Sequence, residues 1–101
     1  MKKHVFLIGI VAISNSIFAQ TSVPKLPLYE LFTSSTCGPC APANDNLTPI
    51  FQDPINEGEF AVIKYQMSWP PPGDPYYTNE GSARKNVYSV NSVPALFVDA
   101  A

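Results

Sequence analysis

The sequence predicts an α/β domain in the order strand, helix, strand, helix, strand. Three observations lead there. Leu28–Phe32, Glu59–Met67 and Ala95–Val98 are short apolar runs of strand length. The first two are separated by a stretch with helical spacing, where Leu47, Ile50 and Phe51 fall at i, i+3 and i+4. Prolines and polar clusters punctuate every join. A strand–helix–strand unit implies a parallel pair. In such sheets, sites form beyond the carboxyl ends of the strands.

Each element has a local cause. "LYELF" alternates apolar and polar residues before turning apolar, as a strand does. "TSST" is a polar loop. The helix is expected from Pro39 to about Phe51. Pro39 suits a first turn, where its missing N–H costs nothing, and Pro42 falls in that turn too. Pro49 lies further in, so a kink or an early end is expected there. "EFAVIKYQM", Glu59 to Met67, reads as a strand buried on both faces near its start. "SWPPPGDPYY" is an irregular loop whose three consecutive prolines favour polyproline II. "TNEGSARKNVYSV" reads as a second helix capped by Thr78 or Asn79, weakened by Gly81. "ALFV" after Val93–Pro94 is the last strand.

The first 19 residues are set apart. Lys2 and Lys3 precede the apolar run Val5–Ile13, and Ala19 offers a small residue for cleavage. That is the layout of a secretory signal peptide. The apolar run is much shorter than the roughly 20 residues a spanning helix needs. The expected organisation is a leader at 1–19, a linker at 20–27 and one domain from 28 to 101. The expected location is the periplasm, the outer membrane surface or the medium, with no stable membrane insertion after cleavage.

Charge narrows the partners. Removing Lys2 and Lys3 leaves four basic residues, Lys25, Lys64, Arg84 and Lys85, against eight acidic ones, a net of −4. There is no basic patch, which argues against nucleic acid.

Cys37 and Cys40 are the only cysteines, in "TCGPC". A secreted chain places them in an oxidising compartment. A disulfide across three residues closes too small a loop to stabilise much. The spacing does suit a redox couple. A cysteine at a helix N-terminus or in a C-x-x-C motif can have its pKa brought down to roughly 3.5–7.5. With Cys37 at the N-cap, its thiolate could attack a disulfide, and Cys40, one turn on, could resolve the mixed disulfide. Structural zinc needs four ligands. The only histidine, His4, lies in the leader, so zinc would need two chains or carboxylate ligands. Haem attachment needs a histidine where Ala41 stands. A thiolate-only site for a soft metal such as Cu(I) stays open, as does an inert disulfide. No bound cofactor is implied.

"CGPC" after a strand, with "SVPALFVD" downstream, resembles the thioredoxin-like superfamily over about residues 28–99. "ELFTSSTCGPC", "KYQMSWPPPGDPYY" and "SVNSVPALFVD" resemble more narrowly the outer membrane protein twenty-eight-related family of exported bacterial proteins. The resemblance implies a thioredoxin-like βαβαβ fold, truncated before its last strand and helix. It implies a thiol–disulfide oxidoreductase acting on protein or peptide disulfides, with Cys37 as nucleophile and Cys40 as resolving thiol. An electron-donor thiol protein would be its partner, and the Gly-Pro pair leans towards reduction. Val93–Pro94 resembles the cis-proline turn that faces the cysteines in that fold. It would leave the Val93 backbone free to pair with an extended peptide. Trp69 would wall the same groove, or simply pack its loop.

The sequence departs from that pattern in two ways near the cysteines. Thr36 stands where thioredoxins usually carry tryptophan, and Leu31 where they carry a buried aspartate. Neighbouring Glu30 points to the other face of a strand and could replace that acid only through a bulge. These departures suit the alternative reading, a thioredoxin-fold binding or cell-surface module with a non-catalytic disulfide.

Overall fold

A computed structural model describes residues 22–101. The proposed leader lies outside them. Three strands, β1 (Leu28–Thr33), β2 (Ala61–Gln66) and β3 (Ala95–Val98), form one mixed sheet in the order β2-β1-β3. Two helices, α1 (Cys40–Gln52) and α2 (Asn79–Val87), complete the α/β domain. β1 pairs in parallel with β2, Leu28 against Ala61 through Thr33 against Gln66. β3 runs antiparallel to β1, with Ala95 opposite Phe32. The ends of β1 and β2 and the start of β3 therefore share one edge. Cys37, the Trp69–Tyr77 loop and Pro94 all adjoin it.

The strands alternate between two faces. Phe32, Met67 and Val90 form a buried cluster on one face, with Tyr65, Trp69, Tyr88, Val93, Ala95 and Phe97 packed against it. Phe32 stacks on Tyr65, its cross-strand partner, at 4.9 Å between ring centroids. α2 lies against this side. Its cap is Thr78, whose Oγ1 accepts from the Gly81 N–H at 3.0 Å. Gly81 is buried because the helix comes close to the sheet there. A Cβ at Gly81 would sit 3.2 Å from Thr78 Oγ1 and 3.5 Å from Met67 Cε. The residue that weakened the sequence reading of this helix is thus the one that lets it approach. α2 ends with Ser89 in the left-handed region at φ 54°. Val90 N–H reaches the Lys85 carbonyl at 3.0 Å and Ser89 N–H the Asn86 carbonyl at 3.1 Å, the two bonds of a Schellman stop.

Several expectations are corrected. α1 runs on to Gln52, three residues past Pro49, so the proline does not end it. Its expected apolar face is only partly buried, because Ile50 is exposed. β2 is not covered on both faces, and Ile63 remains 41% exposed. As the edge strand of a three-stranded sheet, it has neighbours on one side only. The proline run is not polyproline II, which has no internal hydrogen bonds. Gly73 N–H donates to the Pro70 carbonyl at 2.8 Å, closing a tight turn. Gly73 has φ 88°, and a Cβ there would lie 2.5 Å from the Ser68 carbonyl oxygen.

Candidate functional site

β1 delivers its last residues to a polar loop, and the cysteines follow. Cys37 N–H donates to the Ser34 carbonyl at 3.2 Å, and Cys40 N–H to the Cys37 carbonyl at 3.2 Å. These two turns bring the sulfurs to bonding distance, 2.13 Å, with Cα atoms 5.3 Å apart. Cys37 is 5% exposed and Cys40 1%. The helix opens at Cys40 with Pro39 as its cap, so Cys37 stands two residues ahead of the N-cap expected for it. Pro39 and Pro42 have no N–H, and the Cys40 N–H is already used. Gly38 and Ala41 are left as the amides of this turn available to a thiolate.

Val93–Pro94 adjoins the couple, and the bond between them is cis. Cys37 Sγ lies 3.5 Å from the Val93 carbonyl oxygen. In the disulfide that sulfur has no proton to donate. In the dithiol it gains one, and the contact becomes a hydrogen bond from thiol to carbonyl. Trp69 belongs to the loop at the same edge. It packs half-buried against the cluster around Phe32, with the Lys85 ammonium 5.2 Å from its ring centroid.

The loop before Cys37 is tied to the loop after β2 at two points. Thr36 Oγ1 donates to the Pro70 carbonyl at 2.6 Å. Asp74, 8% exposed, accepts the Ser35 N–H on Oδ2 and the Tyr76 N–H on Oδ1, each at 2.8 Å. Burial pushes the Asp74 pKa up, but the Tyr76 and Ser35 amides and the Ser35 side chain together outweigh it and hold the carboxyl below its ordinary range. Between these loops and the start of α1 lies a cleft of about 420 Å³. Cys37 and Cys40 line it, with Asn44, Lys64, Asp74 and Tyr76 around them. Asn44 Nδ2 bonds both Thr33 Oγ1 and the Cys40 carbonyl at 2.9 Å, and its Oδ1 accepts from Lys64 Nζ at 3.0 Å. Sequence reasoning did not single out Asp74, Lys64 or Asn44. "PGD" marks a turn, but its partner Ser35 is 39 residues away.

Glu30 has a role the sequence reading left open. Pairing runs uninterrupted along β1, so Glu30 keeps the face opposite Leu31. It is 1% exposed and bound by Arg84 through both oxygens, Nε to Oε1 at 2.6 Å and Nη2 to Oε2 at 2.9 Å. Tyr65 and Tyr88 hydroxyls also bond it. Arg84 above all, helped by both tyrosines and opposed by burial, brings its pKa down from 4.5 to about 2. Glu30 is a fixed anion that seats α2 on the sheet. The bulge that would have let it take the place of the missing acid is absent from β1.

The chain matches no family model, no curated protein and no solved structure. Among the described residues, no helix is long and apolar enough to cross a membrane.

Proposed function

We propose that the protein is an exported thiol–disulfide oxidoreductase of thioredoxin-like type, acting on protein or peptide disulfides. The observation that carries this reading is the Cys37–Cys40 disulfide at the carboxyl edge of the parallel strands, with Cys37 Sγ 3.5 Å from the Val93 carbonyl. A redox couple needs a substrate path to one sulfur and a second thiol held close behind it. Cys37 precedes the helix, and Cys40 is fixed in its first turn.

The exchange balances as follows. A donor dithiol reduces Cys37–Cys40 and leaves as a disulfide. The Cys37 thiolate attacks the substrate disulfide, forms a mixed disulfide and expels one substrate thiolate. The Cys40 thiolate then attacks Cys37 Sγ and expels the other. Two electrons pass to the substrate, and the two protons of the dithiol end on its two thiols.

The test is turnover of a peptide disulfide by the full chain with dithiothreitol as donor. Turnover lost in Cys37→Ser supports the reading. In Cys40→Ser a trapped mixed disulfide is expected.

The second reading, a binding module with a static disulfide, is favoured by the burial of both cysteines and by Leu31 in place of an acid. It expects no turnover, and binding that survives Cys37→Ser. Export rests on the leader at 1–19. Mass analysis of the protein recovered outside the cytoplasm tests it, with a new N-terminus at Gln20 expected.

A further inference from the structure

We propose that the cleft beside the disulfide selects polypeptide substrates carrying acidic side chains next to the reacting cysteine, with Lys64 as the recognising cation and Tyr76 as an apolar rim. This rests on the redox reading above and names its substrate class.

The cleft offers one cation free to act. Lys64 Nζ bonds the neutral Asn44 amide, and among the described residues no carboxylate lies within ion-pair distance of it. Asp74 lines the same cleft, but each of its oxygens already accepts a backbone N–H. Those neutral amides leave its charge in place, but Asp74 is buried while Lys64 is exposed, so an incoming side chain reaches the ammonium first. An incoming acidic side chain would therefore meet an unmatched ammonium, while a basic one would meet like charge.

Tyr76 adds a second contact. Its backbone is anchored by Asp74, yet the residue is 81% exposed. A large ring held in water at the mouth of a cleft gains by being covered, and a polypeptide crossing the sulfurs would cover it. The two sides of the couple then differ. Val93 offers backbone on one side of the substrate cysteine, and the cleft offers side-chain contacts on the other. A small disulfide would use neither fully.

The experiment compares two peptide disulfides that differ only in flanking residues, glutamate in one and lysine in the other. The full chain is used with dithiothreitol, and hydroxyethyl disulfide serves as a small neutral substrate. The acidic peptide should have the higher kcat/KM by roughly three- to tenfold, from one exposed ion pair gained and one like-charge contact avoided. Added salt should shrink that ratio. Lys64→Gln should bring it towards one, Lys64→Arg should restore it, and remote Lys25→Gln should keep it. Tyr76→Ala should raise KM for both peptides. Equal rates for the two peptides in the unaltered chain would overturn the inference, as would a preference that survives Lys64→Gln. Turnover of hydroxyethyl disulfide without peptide turnover would overturn the cleft's role and the peptide substrate class, and leave only thiol–disulfide exchange standing. No turnover of either would remove the redox reading itself, and this inference with it.

Discussion

Replacing Glu30 by glutamine removes one charge and keeps the shape of the side chain. The tyrosine hydroxyls retain an acceptor, while Arg84 loses its carboxylate. The drop in pKa from 4.5 to about 2 sets the scale. At about 1.4 kcal/mol per pKa unit, the folded state favours ionised Glu30 by about 3 kcal/mol. The sign follows from linkage. Because the folded pKa is depressed, this stability is fully present above pH 4.5. It is lost as the pH falls towards 2, where the folded state also takes up the proton. Urea unfolding of both proteins from neutral pH down to about pH 2 measures it. The expected result is a Glu30→Gln protein weaker by about 2–3 kcal/mol at neutral pH, with the gap closing in acid. A gap that stays constant with pH would refute the electrostatic account and leave only packing. The substitution should also leave the titration of the Cys37 thiol in place. A large change there would restore Glu30 as a proton acceptor.

The remaining expectations concern backbone and thiols. Ser89→Gly should raise stability by roughly 0.5–1 kcal/mol, because glycine holds the left-handed stop without a Cβ; calorimetry would show a higher Tm, and a lower one would refute the assigned φ. Gly73→Ala should cost more than about 2 kcal/mol, since its Cβ would meet the Ser68 backbone, which cannot swing aside; an unchanged denaturant midpoint would contradict the turn. Brief iodoacetamide treatment of the reduced chain should label Cys37 ahead of Cys40, read by mass mapping. Early labelling of Cys40 would reverse the assigned roles.

How far the sequence carries depends on the range of the physics. The strand limits near Leu28 and Ala95 and the cap at Thr78 rest on local pattern, and the approach of Val93–Pro94 to Cys37 is expected from the resemblance. The structure agrees with each of them. Pro49 does not end α1, because a proline removes one hydrogen bond and the rest of the helix still holds. Ile63 misled because an apolar run does not reveal whether anything covers it. The Glu30–Arg84 pair spans 54 residues, and no periodicity connects its members. Asp74 read only as part of an irregular loop, since its bond to Ser35 depends on where another loop lies in space.

That bond has a consequence for hydrogen exchange. The amides of Ser35 and Tyr76 both donate to the Asp74 carboxylate, Ser35 from another loop and Tyr76 from Asp74's own. If the loops part, the Ser35 proton loses its acceptor and becomes accessible to solvent deuterium, while Tyr76 keeps its bond. The two exchange rates would then differ, with Ser35 alone following each opening. Losing the carboxylate would release both amides at once. The ratio of the two rates would thus follow the integrity of the cleft wall without any substrate present.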